Sequence, residues 1–154
     1  MSKIKVLNSK SILFDIEVED KFDAILKISN RLFEEGYIKD VVSFTNAVLQ
    51  REKEGKTGIG YSVAIPHGKS CDVRQTVTGI MKLQRAIEWE AVDSLPVKFI
   101  ILFAVKSDEN DIERLDEMSE IAVSLANTSF IDRLHNARSP EEIVELFQTE
   151  LDLN

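Results

Sequence analysis

The residue best suited to chemistry in this sequence is His67, one of only two histidines in the chain. It stands between Pro66 and Gly68 in the segment TGIGYSVAIPHGKS, residues 57–70. Proline fixes φ and has no N–H for a sheet, so the β-prone run 61–65 is expected to end before the histidine. Glycine lets backbone N–H groups approach a group bound to the imidazole. The pattern predicts an exposed nucleophile or, as the alternative, a histidine that merely caps a turn.

The chemistry that fits this histidine is the transfer of a phosphoryl group. Such a histidine must be neutral when it attacks, must expose one ring nitrogen, and needs donors for the phosphate oxygens. We predict that the N–H groups of Gly68 and Lys69 and the guanidinium of Arg51 are these donors, because a planar guanidinium suits phosphate oxygens. Residues 51–69 carry four basic and two acidic side chains, a net charge of +2 in a chain whose total is -8. An anion can therefore be held locally.

Composition bounds the remaining possibilities. A chain of 154 residues with 44% hydrophobic and 30% charged residues is typical of one globular domain, here residues 1–154. The acidic balance argues against nucleic-acid binding, which needs a basic face. Two distant histidines without an HxxH or HxxE pattern predict no metal site, so a metal-dependent hydrolase is a weak alternative. No GxxxxGK[ST] phosphate loop is present, and no cofactor is expected if donor and acceptor are both phospho-amino acids.

The single cysteine and the absence of long apolar runs indicate a cytoplasmic location. Cys71 excludes an internal disulfide, and we expect it to be a small buried hydrophobe rather than a reactive thiol. No run approaches the length of a membrane span, and the start of the chain lacks the apolar core of a signal peptide. We therefore expect no direct insertion into a membrane.

The elements that must position His67 follow from periodicity and capping signals. The run VKFIILFAV, residues 97–105, is nearly continuous in apolar residues and predicts a central strand covered by helices on both faces. Strands are also predicted at 11–18, 61–65 and 75–83, with a polar connection from 86 to 96. Helices are predicted at 21–35 after Asp20, from 41 to about 54 after Asp40, at 112–125, at 128–136, and from 140 after Ser139. The order predicts an α/β fold with a small mixed β-sheet sandwiched between helices.

The segment LQREKEGKTGIGYSVAIPHGKS resembles the phosphorylation-site signature of EIIA proteins of the bacterial phosphoenolpyruvate-dependent sugar phosphotransferase system, fructose/mannitol (nitrogen-regulatory) type. The similarity extends more weakly through EWEAVDSLPVKFIILFAV to SPEEIVELF and thus spans nearly the whole chain. The resemblance implies a mixed sheet flanked by helices. It also implies a phosphotransferase in which His67 takes phosphate from phospho-HPr and passes it to a cysteine of a IIB partner, with Arg51 near the phosphate. A membrane IIC permease would then be reached only through IIB.

One position departs from the family pattern. Many members have a second histidine at the start of the helix after the long apolar strand, where an ungapped alignment puts Arg114. Arginine can serve the phosphate electrostatically but cannot exchange a proton at neutral pH. We expect His135, farther along the chain, to be an exposed or locally bonded helix residue. The leading hypothesis is a phosphoryl carrier in sugar uptake; the alternative is a regulatory module whose phosphorylation state a partner protein senses.

Overall fold

The computed structural model describes residues 3–152. Within that range the chain forms five α-helices and six β-strands, with a short 3-10 turn before the first strand. In chain order these are the turn Ser9–Ser11, β1 Ile12–Ile16, α1 Lys21–Glu34, α2 Val41–Glu52, β2 Gly58–Gly60, β3 Val63–Ala64, β4 His67–Ser70, β5 Val77–Ile87, β6 Val97–Lys106, α3 Ile112–Ser124, α4 Thr128–His135 and α5 Pro140–Asp152. In this described part, no helix combines the length and the apolar character that a membrane span needs.

The six strands form one mixed sheet organised around β6. On one side, β5 pairs antiparallel to β6, and β1 pairs parallel to β5. On the other side, β3 and β4 follow each other along β6, both parallel to it, and β2 pairs antiparallel to β3. Val63 pairs with Phe99 and His67 with Phe103, so the same offset of 36 positions holds before and after Pro66. The chain therefore keeps its register along β6 through the break between β3 and β4.

Helices cover both faces of this sheet. Alternate residues of β6 face two separate clusters of buried side chains. Ile100, Leu102 and Ala104 pack on the side of α1 and α2, whereas Phe99 and Ile101 pack on the side of α3, α4 and α5. Burial on both faces is what the continuous apolar run predicted. The predicted α/β fold, a small mixed sheet between helices, is confirmed.

Capping signals located the helices that flank the site. The Asp20 carboxylate accepts from the N–H of Asp23 at 2.8 Å, and Gly36, with φ of 83°, ends α1. The Asp40 carboxylate caps α2 in the same way, accepting from the N–H of Ser43 at 3.0 Å. The Ser139 hydroxyl accepts from the N–H of Glu142 at 3.1 Å at the start of α5. These starts agree with the sequence prediction because capping depends on residues within one turn.

The segment before β6 differs from the prediction. β5 continues to Ile87, and the connection that follows buries Trp89 and Ala91, which are 5% and 4% exposed. Gly58 forms a parallel bridge with Ala91, so this connection covers the outer edge of β2. A sequence rich in charged residues was expected to be solvent-exposed, but its apolar residues close the sheet edge.

Candidate functional site

His67 is the first residue of β4, not a residue of a turn beyond the end of a strand. Its ring lies beside that of Phe103, with ring centroids 6.0 Å apart. The strand before Pro66 does end, at Ala64, but the turn expected at His67 is not formed, because a new strand begins there. Proline lacks a donor, but its carbonyl oxygen still accepts the N–H of Phe103 at 3.0 Å. Pairing with β6 therefore resumes at once, and the sheet holds the backbone of His67.

The two ring nitrogens of His67 have different surroundings. Nδ1 is buried and has no hydrogen-bond partner, whereas Nε2 is not buried and makes no hydrogen bond with the described residues. Only Nε2 is thus available to a group that arrives from solvent. Attack through Nε2 needs its lone pair, which places the ring proton of the neutral imidazole on Nδ1.

Gly68 lies where α2 packs against β4. A Cβ built on Gly68 would lie 2.7 Å from Cγ2 of Val48 and 2.8 Å from Cε1 of Phe44. Both neighbours are fully buried core residues, so neither can move aside cheaply. The glycine next to the histidine is therefore required by helix packing. Its predicted role as an N–H donor to phosphate stays a prediction.

Arg51 lies in the last turn of α2, on the face that reaches Gly68. Phe44, Val48 and Arg51 are spaced by four and three residues, which places them along one side of the helix. Nη1 of Arg51 is buried without a hydrogen-bond partner. Buried donors are nearly always paired in proteins, so this unpaired N–H makes Arg51 a candidate donor to an anion.

Four buried side-chain atoms of the described residues lack a hydrogen-bond partner, and two of them belong to Arg51 and His67. The other two are the hydroxyl oxygens of Thr45 and Thr78. His67 of β4 and Thr78 of β5 both pair with Phe103 of β6, one from each side of that strand. The side chains of His67, Phe103 and Thr78 therefore lie on one face of the sheet. The sequence analysis missed Thr78, and no local signal marks it.

Lys69 is exposed and follows His67 on β4. No ion pair or side-chain hydrogen bond engages its ammonium group among residues 3–152. Its ammonium group thus stays available to an anion, and the predicted role of its N–H stays a prediction.

Arg114 is engaged elsewhere. Its Nη1 donates to the carbonyl of Thr76 at 3.1 Å and to that of Lys5 at 3.4 Å, and its Nε lies 3.5 Å from the carboxylate of Asp111. These contacts tie the start of α3 to β5 and to the N-terminal segment. No polar contact among the described residues joins either Arg114 or Arg51 to His67. The predicted contact of Arg114 with the phosphate stays a prediction.

Two further expectations were wrong. His135 is half-buried, and its Nε2 donates to the carbonyl of Tyr61 at 2.8 Å, which is 74 positions away rather than local. Cys71 is exposed, because it lies in the turn directly after β4 instead of in the core.

Among the residues that the structure describes, no group of three or more histidine, cysteine or acidic residues could hold a metal ion.

A polar cluster behind Arg51 was also missed. Lys21 Nζ lies 3.0 Å from the Glu52 carboxylate and 2.8 Å from that of Glu90, and it sits over the ring of Trp89. Burial by itself would lower the pKa of Lys21, but hydrogen bonds to Glu90 and Glu52 outweigh it and leave the pKa above its ordinary value. The hydrogen bond from Lys21 holds the pKa of Glu90 below its ordinary value.

Comparison with known proteins gives a consistent result. Residues 5–150 match the family model described as "Phosphoenolpyruvate-dependent sugar phosphotransferase system, EIIA 2". "Nitrogen regulatory protein" of Klebsiella oxytoca is 32% identical over 142 residues, which cover 92% of this chain and 86% of that protein. The "PTS system fructose-specific EIIABC component" of Bacillus subtilis (strain 168) is 25% identical over 146 residues, 95% of this chain but 23% of that longer protein.

A solved structure shows the same fold. The crystal structure of the nitrogen regulatory protein IIA-Ntr from Neisseria meningitidis superposes with a TM-score of 0.83 at 26% sequence identity. The superposition covers 93% of this chain and 97% of the other. The similarity thus includes the sheet that carries the histidine and the helices on both of its faces.

Proposed function

Because the chain belongs to the EIIA 2 family of the phosphoenolpyruvate-dependent sugar phosphotransferase system, we propose that it carries a phosphoryl group on Nε2 of His67. The group comes from phospho-HPr and passes to a cysteine of a IIB partner. The observation that carries this proposal is the asymmetry of the imidazole: Nδ1 is buried and unpaired, while Nε2 is open. The fructose-specific relative, whose name joins EIIA with B and C components, supports a IIB partner.

The transfer step needs only groups of the two proteins. The lone pair of Nε2 attacks phosphorus, a Nε2–P bond forms, and the bond between phosphorus and the donor amino acid of phospho-HPr breaks with its electron pair staying on the donor. The proton on Nδ1 remains in place and is shielded from solvent. A second attack, by the thiolate of the IIB cysteine, regenerates the neutral imidazole. The phosphohistidine is thus the intermediate of a phosphotransferase.

Arg51 supplies the main positive charge in this proposal. Its buried, unpaired Nη1 can donate to an oxygen of the phosphoryl group, where charge is spread over three equatorial oxygens in transfer. The N–H groups of Gly68 and Lys69 add donors next to the imidazole. Arg114 contributes positive charge rather than an Nη1 or Nε donor, because these two atoms already contact Lys5, Thr76 and Asp111. No cofactor takes part in this scheme.

Mapping the labelled residue tests the proposal. We expect the protein to become labelled when it is incubated with phosphoenolpyruvate, Enzyme I and HPr, with acid-labile label on His67. The His67→Ala variant should take up none, whereas His135→Ala, the matched control at the other histidine, should be labelled normally. Label that persists in His67→Ala at another residue would remove His67 from the mechanism.

A regulatory role is the second candidate, and the comparison with relatives favours it. The chain is 32% identical to the nitrogen regulatory protein of Klebsiella oxytoca and 25% identical to the fructose-specific EIIABC component. In this alternative a partner protein senses whether His67 is phosphorylated. Mixing the labelled protein with a sugar-specific IIB domain separates the two: rapid loss of label supports transport, and retained label supports regulation.

The proposal also covers the domain organisation and the cellular location of the protein. We propose that residues 1–154 fold as one domain, because the two clusters of buried side chains share β6. A cytoplasmic location, with contact to a membrane IIC permease only through IIB, follows from the proposed partners. Co-sedimentation with membranes only in the presence of IIB and IIC is the expected behaviour.

A further inference from the structure

The end of α2 is held in place by an unusually buried acidic side chain. Glu52 is the last residue of α2, and its side chain is only 5% exposed. Its carboxylate accepts from the hydroxyl of Thr57 at 2.6 Å and from Nζ of Lys21 at 3.0 Å. Terminal helical turns ordinarily fray. These contacts hold the turn that contains Arg51.

Thr57 links this turn to the histidine segment. Its hydroxyl donates to Glu52 and accepts from Nε1 of Trp89 at 2.9 Å, so both of its hydrogen-bonding roles are used. Its carbonyl oxygen accepts from the N–H of Ile65 at 2.9 Å, two residues before His67. Thr57 is itself only 2% exposed. One residue thus contacts both the helix end that carries Arg51 and the segment that leads into β4.

We propose that Thr57 is a positioning residue that sets where the Arg51 guanidinium stands relative to the His67 imidazole. The inference rests on the proposed phosphoryl transfer and extends it to a residue that touches neither phosphate nor partner. Its side chain acts through Glu52, and its backbone acts through Ile65. Misplacement of a catalytic group by about 1 Å can cost about 100-fold in rate, so a loosened link should be measurable.

The decisive variant is Thr57→Val, which keeps the branched shape and removes the hydroxyl. Valine leaves the carboxylate of Glu52 with one partner fewer and the indole N–H of Trp89 unpaired. We expect the turnover of phosphoryl transfer from phospho-HPr to fall about 10-fold or more, with KM for phospho-HPr unchanged, because Thr57 is buried and its substitution leaves the protein surface unaltered. Thr57→Ser keeps the hydroxyl and should restore turnover to within about twofold.

The matched control is Thr45→Val, at a buried threonine of α2, the helix that carries Arg51 and Glu52. Thr45 is 2% exposed, as buried as Thr57, but its hydroxyl has no hydrogen-bond partner. This variant makes the same chemical change without breaking a link, so its turnover should match that of the wild type. Equal losses of turnover in Thr45→Val and Thr57→Val would overturn the proposal, since they would show a general effect of altered packing.

A spectroscopic measurement separates this inference from the proposed function. The Nε–Hε signal of Arg51 and the imidazole signals of His67 can be followed by NMR in the unphosphorylated protein. We expect both to shift in Thr57→Val and to stay in place in Thr45→Val. Unchanged signals together with unchanged turnover in folded Thr57→Val would end the positioning role. If the wild type takes no label on His67, the proposed function fails while the NMR comparison still decides whether Thr57 links the two residues.

A second variant covers the case in which Thr57→Val does not fold. Glu52→Gln keeps the size of the side chain and one acceptor oxygen but removes the charge that Lys21 faces. We expect it to shift the Arg51 signal and lower turnover about threefold to 10-fold at unchanged KM. A Glu52→Gln protein with wild-type turnover and Arg51 signal would contradict the proposal.

Discussion

Arg51 on α2 and Arg114 on α3 lie on opposite faces of one sheet, and their guanidinium groups differ in the contacts they make. Two nitrogens of the Arg114 guanidinium already contact the protein: Nη1 donates to two backbone carbonyls, and Nε lies near the carboxylate of Asp111. The guanidinium of Arg51 keeps a buried N–H with no partner. Burying an unpaired charged donor costs free energy, which fits the anion-binding role that we propose for Arg51. Arginines that look equivalent in the sequence therefore differ in the donors they have left.

The largest expected effect comes from removing the unpaired arginine. We expect Arg51→Ala to slow phosphoryl transfer at least about 100-fold, close to 2.7 kcal/mol, because one preorganised donor to the transferring group is lost. The free energy of unfolding should change by less than about 1 kcal/mol, since the lost N–H made no bond in the folded protein. Rates from single-turnover assays and midpoints from urea titration check both parts. An unchanged rate would show that Arg51 does not serve the transferring group.

Removing the paired arginine should give the reverse pattern. We expect Arg114→Ala to lower the free energy of unfolding by about 1–3 kcal/mol, because two carbonyls and a carboxylate lose a charged donor. Transfer from phospho-HPr should slow by no more than about threefold.

Arg114→His tests the family position directly: if that residue faces the phosphate, transfer should be preserved or raised. An Arg114→Ala protein with wild-type stability but slow phosphoryl transfer would contradict this assignment of the two arginines.

The smallest expected effect is on the pH dependence of stability, through the ion-paired cluster of Lys21, Glu52 and Glu90. Because the pKa of Glu90 is lowered by the hydrogen bond from Lys21, its stabilising contribution is present above the ordinary glutamate pKa of about 4.3 and is lost as pH falls through the lower folded value. Because the pKa of Lys21 is raised, the contribution of that lysine is lost as pH rises beyond about 10.4.

Denaturation measured at a series of pH values tests this direction of the change in stability. Glu90→Gln should weaken the decline in stability of the wild type on acidification below about pH 4.3 and leave transfer at neutral pH nearly unchanged. The effect should be small, since the Glu90 side chain is 65% exposed. An identical acid dependence in wild type and Glu90→Gln would show that the Lys21 bond does not shift this carboxyl group.

Local signals in the sequence were sufficient for most of the architecture. The ends of α1, the start of α2 and the start of α5 depend on residues within one turn of each other, so capping residues predicted them. The apolar run around Phe99 also predicted a strand buried on both faces, because no other placement hides so many consecutive apolar side chains. Arg51 and His67 were selected as candidates from their residue types and from the glycine and proline that surround His67.

Long-range pairing decided what the sequence analysis got wrong. His67 belongs to a strand because β6, whose partner residue Phe103 is 36 positions away, accepts the chain on both sides of Pro66. Cys71 is exposed because β4 ends at Ser70, a limit that no residue near it announces. Thr57 was not recognised because its partners come from α2, from the connection after β5 and from the segment before β4.

The sequence by itself determined which side chains could do the chemistry and which segments form helices or the central strand, since residue type, capping and periodicity act over a few neighbouring positions. Only the tertiary structure decided which imidazole nitrogen stays open, which arginine keeps an unpaired N–H and which threonine joins the two. Those properties depend on burial and hydrogen bonding between segments that are distant in the chain, and such contacts exist only once the sheet has assembled.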